Sequence, residues 1–441
     1  MNIQTVCHWL GLPSDNTTEI TGFSTDTRTL KPGNAFIALH GENFDGHDFL
    51  QRAHDMGAVL AIVHHQNPTI PLMQLEVSDT LKSLGLMATE YRKTLRCPVI
   101  SLTGSNGKTT VKEMIAAILP KPSYATEGNL NNHIGVPLSV LRINADHQYA
   151  VLELGANHIG EIAYTTAIAA PDVVLINNIA PAHIGEFGSI EGVAKTKGEI
   201  YQGLKPQGVA VVNDDDAYAH FWDEHLKDKR VIRFSKEKVA DIYATDITLD
   251  AKGCASFTIN WENSRYSVSL NLPGKHMVSN ALAASACCLG IGLSMTTIIE
   301  GLESFSGVKG RLQHKAGLQG AVIIDDTYNA NLKSVLTALD VLAHCQGTRY
   351  FIMGDMGELG EHAIAHHEAV GLHAKELGID GIFTVGDLTT YTNKAFGPTA
   401  QHFVDKPSLI TALLPLLNTN ATVLVKGSRS AKMEEIVAAL S

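Results

Sequence analysis

Short apolar runs separated by helical stretches give the chain its texture. Between about residues 79 and 310 the runs "VISLTG", "YAVLELG", "DVVLINNI", "GVAVVND" and "RVIRFS" are continuous, not alternating, in hydrophobicity. Continuous runs of that length fit strands buried on both faces, which predicts a parallel sheet wrapped by helices. Inside this block "ATDITLDAKGCASFTINWENSRYSVSLNLPG" alternates apolar with polar and carries a turn signal at Lys252-Gly253, which predicts an antiparallel insertion. From 311 to 441 a second series, "AVIIDD", "RYFIMGD", "GIFTVGD" and "TVLVKGS", each followed by a helical pattern, predicts a separate Rossmann-like unit. Residues 1–78 mix strand-like pieces ("NAFIAL", "AVLAIVHH") with turn signals ("LKPGN", "GENFDGH"), the mark of a small α/β module. The reading is an α/β protein of three domains, 1–78, 79–310 and 311–441, with ligands expected at the carboxyl ends of the strands.

Length and charge narrow what such a protein does. At 441 residues the chain exceeds what one core usually organises. Lysine plus arginine total 34 against 45 aspartate plus glutamate, a net of −11, with no basic run. No nucleic acid partner is expected, and an anionic ligand must be held by local devices such as loop amides and single cations. Cys7, Cys97, Cys254, Cys287, Cys288 and Cys345 are scattered with no Cys-x-x-Cys pair, and the opening "MNIQTVCHWLGLPSD" lacks the regions of a signal peptide. Those features predict reduced thiols, no cysteine-built zinc site and a cytoplasmic address. The longest near-apolar run, "ALAASACCLGIGL", falls short of the roughly 18 residues that suggest a transmembrane segment.

The candidate chemistry begins at "TGSNGKTT", which follows the apolar run "CPVISL" and precedes the helical pattern "VKEMIAAIL". A glycine-rich turn between strand and helix cradles phosphates: loop N–H groups and the helix N-terminus supply positive potential, Lys108 reaches the terminal phosphates and the Thr109 hydroxyl can ligate magnesium. The general motif needs a glycine five residues before Gly107, where this chain has Leu102. Only the shorter form, Gly104-x-x-Gly107-Lys108-Thr109-Thr110, is present. This makes the central unit a P-loop ATPase-like parallel-sheet domain.

Two further candidates stand at strand ends. Glu153 lies at the carboxyl end of "YAVLELG" and His183 in the loop after "DVVLINNI". Singly, each reads as a satisfied polar group or a solvated histidine; beside the glycine loop they read as ligands near a magnesium-bound triphosphate. The remaining histidines, among them His64-His65 and His366-His367, have no carboxylate or cysteine at ligand spacing and read as surface residues. In the helix "SIEGVAKTKGEIYQGL" Ile190, Val193, Ala194, Ile200, Tyr201 and Leu204 form an apolar face, Lys197 lies on it and Lys195 points elsewhere. A lysine on a buried face either snorkels past its neighbours or is paired, neutralised or modified at an active site.

The segments "TGSNGKTT", "ATEGNLNNHIGVPLS", "LELGANHIGEI", "NNIAPAHIGEFGSIEGVAKTKGEI", "LPGKHMVSNALAA", "VKGRLQ" and "DDTYNANLKS" resemble, in order, the Mur ligases of bacterial cell-wall synthesis. "DDTYNAN", "GDMGELGE" and "VKGSRS" are similar to the branch that adds a dipeptide. The resemblance covers the whole chain, and the shortened loop is the family's own form. Leu332 departs from it, since a proline is expected after "YNAN"; a changed helix start is expected there, and no change of chemistry.

The resemblance implies ATP and Mg2+ as cofactors, with UDP-N-acetylmuramoyl-tripeptide and D-alanyl-D-alanine as partners of a monomer. It places Gly104, Asn106, Gly107, Lys108, Thr109 and Thr110 on the phosphates, Thr109, Glu153, His183 and Lys197 at the metal, and makes Lys197 the family's carbamylated lysine. Asn280 becomes the adenine contact, Arg311 a phosphate contact and Asp326 the ribose contact. Thr27, Arg28, Asn43 and Phe44 would line the uridine diphosphate site, Asn132 would meet the muramoyl-peptide end, and Tyr328, Asn329 and Asn331 would bound the dipeptide pocket. The implied reaction is amide formation through an acyl phosphate, with Lys108, Lys197, His183 and Arg311 as the catalytic set. A relative adding a single diaminopimelate or lysine, folylpolyglutamate synthase, a small-molecule kinase and a nucleotide-sensing module are the alternatives.

Overall fold

In the computed structural model, which describes residues 1–41, 44–180, 187–250 and 253–441, the apolar runs become buried strands. The chain forms two compact units, one of residues 1–103, 120–174 and 199–208, the other of residues 104–119, 175–198 and 209–441.

The first unit opens with a four-stranded parallel sheet. Its order is β1 (Gly22–Ser24), β2 (Asn34–Ile37), β5 (Leu60–Val63), β6 (Gln74–Glu76), with the hairpin β3 (His40–Gly41) and β4 (Phe44–Asp45) beside it in sequence. Leu30, Phe36, Leu50, Ala61 and Val63 meet in its core. The same unit holds β7 (Val99–Thr103), β8 (Ser123–Ala125) and β9 (Tyr149–Glu153), where β9 pairs in parallel with both others. All five residues of β7 are buried, as a strand covered on both faces requires.

These strands belong to a nine-stranded sheet of order β15-β14-β13-β12-β11-β10-β7-β9-β8, which also takes in β10 (Val173–Ile176), β11 (Val209–Asn213), β12 (Arg230–Ser235), β13 (Ile242–Leu249), β14 (Cys254–Trp261) and β15 (Ser264–Pro273). β11, β12 and β13 run parallel; β14 and β15 fold back antiparallel. The alternating stretch is therefore an extension of the sheet's edge, and burial alternates along it, whereas β11 is buried throughout. Lys252 of its expected turn lies outside the described residues.

The second unit ends in a six-stranded sheet of order β16-β17-β21-β18-β19-β20. It comprises β16 (Gln313–Ala316), β17 (Val322–Asp326), β18 (Thr348–Gly354), β19 (Gly381–Val385), β20 (Gln401–Phe403) and β21 (Ala421–Lys426). All but β16 are parallel, and register sets Asp326 of β17 opposite Lys426 of β21, opposite in turn to Met353 of β18. The carboxyl ends of three strands are thus level, as a ligand-binding edge requires. Ile323, Ile352, Phe383, Val423 and Val425 centre the core below. No helix among the described residues is long and apolar enough to cross a membrane.

Candidate active site

The glycine loop lies between β7 and the helix Lys108–Ile118. Gly107 has φ 77°, a left-handed conformation that favours glycine, and a Cβ there would meet Asn177 Nδ2 at 2.6 Å and Asn280 Oδ1 at 2.9 Å. The loop is held by side chains from the far ends of other strands. Asn178 Oδ1 accepts the Asn106 N–H (2.9 Å), while Asn177 Nδ2 (2.9 Å) and Asn178 Nδ2 (3.0 Å) both donate to the Asn106 carbonyl. Ser105 N–H donates to the Asn178 carbonyl (2.9 Å), and its hydroxyl donates to Ala180 O (3.0 Å). Asn177 is itself fixed, donating to Asn280 Oδ1 (3.2 Å) and accepting at its carbonyl from Asn213 Nδ2 (2.8 Å); Asp216 accepts the Ile179 N–H (2.8 Å). Lys108 Nζ donates to Gly104 O (2.8 Å).

Lys197 is 4% exposed, packed in the helix Ile190–Gln202, whereas Lys195 stands in solvent with Glu191 at 2.8 Å. Burial, with the Lys108 ammonium adding to it, lowers the Lys197 ammonium from 10.5 to about 7. The face assignment made from helical spacing holds for both lysines, and the snorkelling alternative fails for Lys197.

The segment after β17 meets this loop inside the same unit. Asn331 Nδ2 donates to Asn106 Oδ1 (2.9 Å), while its Oδ1 accepts the Ser334 N–H (2.9 Å) and so caps the helix Leu332–Ala343. Leu332 occupies the first helical position behind an intact capping box. A proline is tolerated at that position because its N–H has no helical partner, so leucine serves equally there. Arg311 donates to Thr109 Oγ1 (3.1 Å) and lies over the Tyr328 ring at 4.2 Å. Asp326 accepts from the Leu312 N–H at Oδ1 (3.2 Å) and from Lys426 Nζ at Oδ2 (2.5 Å). Burial raises its carboxyl above the usual range, against the pull of Lys426 and Arg311. Asn329 gives its carbonyl to Lys426 (3.0 Å).

In the first unit, Glu153 is buried in register with Leu102, accepting from Asn131 Nδ2 (2.9 Å) while Thr126 Oγ1 accepts its N–H (3.0 Å). Asn132 Oδ1 accepts the Gly135 N–H (2.8 Å) at the start of the helix Gly135–Arg142, so the neighbour Asn131 is the one joined to Glu153. Thr27 is buried; Arg28 is exposed and paired with Asp26 at 2.6 Å; Phe44 is exposed on β4. Asn43 and His183 lie outside the described residues.

Three family models match in series: the Mur ligase family catalytic domain over residues 19–102, the Mur ligase middle domain over 102–288, and the Mur ligase glutamate ligase domain over 310–429. The chain is 44% identical over 422 residues to the UDP-N-acetylmuramoyl-tripeptide–D-alanyl-D-alanine ligase of Escherichia coli K12, covering 95% of this chain and 93% of that protein. The chain belongs to the Mur ligase family. Its fold is correspondingly that of a solved Mur ligase, MurF from Acinetobacter baumannii, with a TM-score of 0.91 at 37% identity over 99% of this chain and 98% of that one. MurF from Thermotoga maritima, solved in complex with ADP, gives 0.83 at 27% identity over 96% and 97%.

For a Mur ligase of this sequence the loop has unspent hydrogen-bonding capacity where a polyphosphate would sit. Asn106 Nδ2, Asn177 Oδ1 and Arg311 Nε are buried without a hydrogen-bond partner among the described residues, and Gly107 leaves its cradle open. Sequence reasoning missed Asn177, Asn178, Asn213 and Asp216, although polar residues closing buried apolar runs ("LINN", "VVNDDD") are the signal that marks them. It also misjudged two histidines. His367 is fully buried, accepting the Met356 N–H at Nε2 (3.1 Å), and His64 is half-buried with its N–H on His47 Nε2 (2.9 Å). His367 shares a helix face with Val370, Gly371 and Ala374, all buried, and that spacing outranks the lack of ligand neighbours.

Proposed function

We propose that this protein is an ATP-dependent ligase that joins D-alanyl-D-alanine to UDP-N-acetylmuramoyl-tripeptide in peptidoglycan precursor synthesis. The observation that carries the reading is near-full-length similarity to a relative named for that reaction, and the loop geometry supports it. We divide the chain into a UDP-muramoyl-peptide domain (1–78), an ATP domain (79–310) and an amine domain (311–441). Gly104, Asn106, Gly107, Lys108, Thr109 and Thr110 receive the phosphates through N–H groups, an ammonium and a hydroxyl. Asn280 takes the adenine, Asp326 the ribose, and Arg311, already on Thr109, the phosphates.

The chemistry must make a carboxylate reactive, because oxide does not leave from carbon. A carboxylate oxygen of the peptide stem attacks the γ-phosphorus of ATP, and the bond to ADP breaks to give an acyl phosphate. The amine nitrogen of D-alanyl-D-alanine then adds to the acyl carbon, phosphate departs with the bonding pair, and the nitrogen loses its proton. Lys108 and Arg311 cancel charge as the anions converge. Thr109, Glu153 and His183, oxygen and nitrogen donors, would hold Mg2+, which supplies Lewis acidity at the phosphates. Lys197, whose ammonium burial lowers to about 7, is deprotonated part of the time at neutral pH and would add to carbon dioxide, losing a proton to give an anionic carbamate for the metal. Thr27, Arg28, Asn43 and Phe44 are assigned to the uridine diphosphate, Asn132 to the muramoyl peptide, and Tyr328, Asn329 and Asn331 to the dipeptide. Six free cysteines support a reducing, cytoplasmic setting. ADP release measured with the muramoyl tripeptide and a panel of amines tests the reading: D-alanyl-D-alanine should far exceed diaminopimelate, lysine or glutamate, and an equal rate with a single amino acid overturns it.

A further inference from the structure

Lys426 ends a strand whose six positions are all buried, in the run "TVLVKGS", where an apolar side chain would be the ordinary choice. The residue is 2% exposed, and an ammonium removed from water must be compensated by close partners. It has two, on different parts of one segment: Asp326 Oδ2 at 2.5 Å, on the strand paired with its own, and the Asn329 carbonyl at 3.0 Å, three residues further on. Between and beyond those points the chain has left the sheet and carries Tyr328, against the Arg311 guanidinium, and Asn331, whose amide reaches Asn106 of the glycine loop. The carboxylate alone would be served by a shorter bridge. The second bond, to a backbone carbonyl in the turn, ties residues 326–331 to β21, beside the Tyr328 N–H on Gly310 O (3.1 Å) and the Thr327 hydroxyl on Asp325 Oδ1 (2.6 Å) that hold the same segment from other sides.

We infer that Lys426 is a positioning residue for the phosphate loop, pinning the turn 326–331 so that Asn331 holds Asn106 and Tyr328 backs Arg311. The inference deepens the ATP reading above and rests on it. Lys426 does not touch the loop; it acts through Asn331 and through the Tyr328–Arg311 pair, and Arg311 in turn donates to Thr109 (3.1 Å). A loop whose amides are already arranged receives phosphate without further ordering, so loosening the turn should appear first in ATP affinity.

The test compares Lys426→Met, Asn331→Ser and the double variant in the full chain. Serine keeps an oxygen to cap the helix and adds no charge, yet removes the amide that reaches Asn106. KM for ATP, kcat and thermal midpoint are measured for each. Asn331→Ser should raise KM for ATP about five- to tenfold, the loss of one hydrogen bond to the loop. Lys426→Met should raise it about tenfold or more, and the double variant should lie within about twofold of Lys426→Met, because both changes cut the same connection. A Lys426→Met protein with a lowered midpoint but parental KM and kcat would overturn the inference, as would effects that multiply in the double variant. If Lys426→Met does not fold, Asn331→Ser decides, since a parental KM for ATP there removes the route. Should the parent show no amine-dependent ADP release, the ligase reading has failed by itself, and ATP dissociation constants measured by calorimetry on the same proteins still judge the role of Lys426.

Discussion

Two lysines in the second unit are equally hidden from water and live in opposite electrostatic conditions. Lys426, at the end of β21, has a carboxylate opposite it in the sheet register and a carbonyl beside it. Lys197, on the helix Ile190–Gln202, is buried near another ammonium, Lys108, and its own ammonium falls to about 7. Burial lowers the Lys197 ammonium, with Lys108 adding to it, whereas Lys426 is buried against a carboxylate; the charges each amine faces set the two apart. A paired ammonium is a fixed strut, and an ammonium beside a second cation is a nucleophile held ready. On the readings proposed above, one region organises the turn that serves the loop, and the other offers an amine to chemistry.

The sharpest way to break the contrast is Lys197→Ala. If its amine becomes an anionic metal ligand, its loss should reduce kcat on the order of 10³-fold or more, several kcal/mol of transition-state stabilisation. Short carboxylic acids added to the assay should restore part of the rate by occupying the vacated space. A variant with parental turnover would make Lys197 as structural as Lys426 and abolish the distinction.

Lys108→Ala comes next, because it removes the charge that helps depress Lys197. A loss of about 10²–10³-fold in kcat is expected from removing one preorganised phosphate donor, with the fold intact, since the side chain reaches back to Gly104 O of its own loop and not into an apolar core. The same variant should raise the Lys197 amine pKa, followed by the pH dependence of its trapping with an amine-selective reagent. Near-parental turnover would remove the phosphate-loop reading itself.

How far each region could be read from sequence follows the same divide. The helix face that buries Lys197 and exposes Lys195 is a periodicity, local and therefore legible. The two series of strands were legible for the same reason, as was the glycine loop with its flanking strand and helix. The partners of that loop were not. Asn106 is held by Asn177, Asn178 and Asn331, residues 71 to 225 positions away, and only the order of strands brings them there. Lys426 was hidden in an apolar run, and its partner Asp326 is 100 residues distant. Neither spacing nor composition encodes such pairings; a strand's neighbour in the sheet does.

A smaller effect separates the two lysines through stability. Lys197 has a folded pKa of about 7 against 10.5 for the free side chain, so between those values the unfolded chain binds the extra proton. Stability therefore rises with pH across that window, by up to about 1.4 kcal/mol per unit. Below about 7 both states are protonated and the dependence vanishes. In degassed buffer without nucleotide, Lys197→Met should flatten the rise in denaturation midpoint between pH 7 and 10 relative to the parent. A variant with the parental slope would mean that the buried amine keeps an ordinary pKa.

The smallest expected effect is the control that gives the others meaning. Lys195 sits two residues from Lys197 on the opposite face and pairs with Glu191 at 2.8 Å, one helical turn toward the N-terminus, with both side chains largely in solvent. Such an exposed pair, in the favourable order with the acid first, contributes about 0.3–0.5 kcal/mol to the helix and is screened by salt. Lys195→Ala should therefore keep parental kcat and KM and lose at most about 0.5 kcal/mol of stability, a difference that shrinks further as ionic strength rises. The charge removed is the same as in Lys197→Ala and the site only two residues away, so composition and proximity are held constant while the helical face changes. If Lys195→Ala were the inactive variant and Lys197→Ala the silent one, the face argument would be reversed and the contrast between the buried lysines would lose its reactive member.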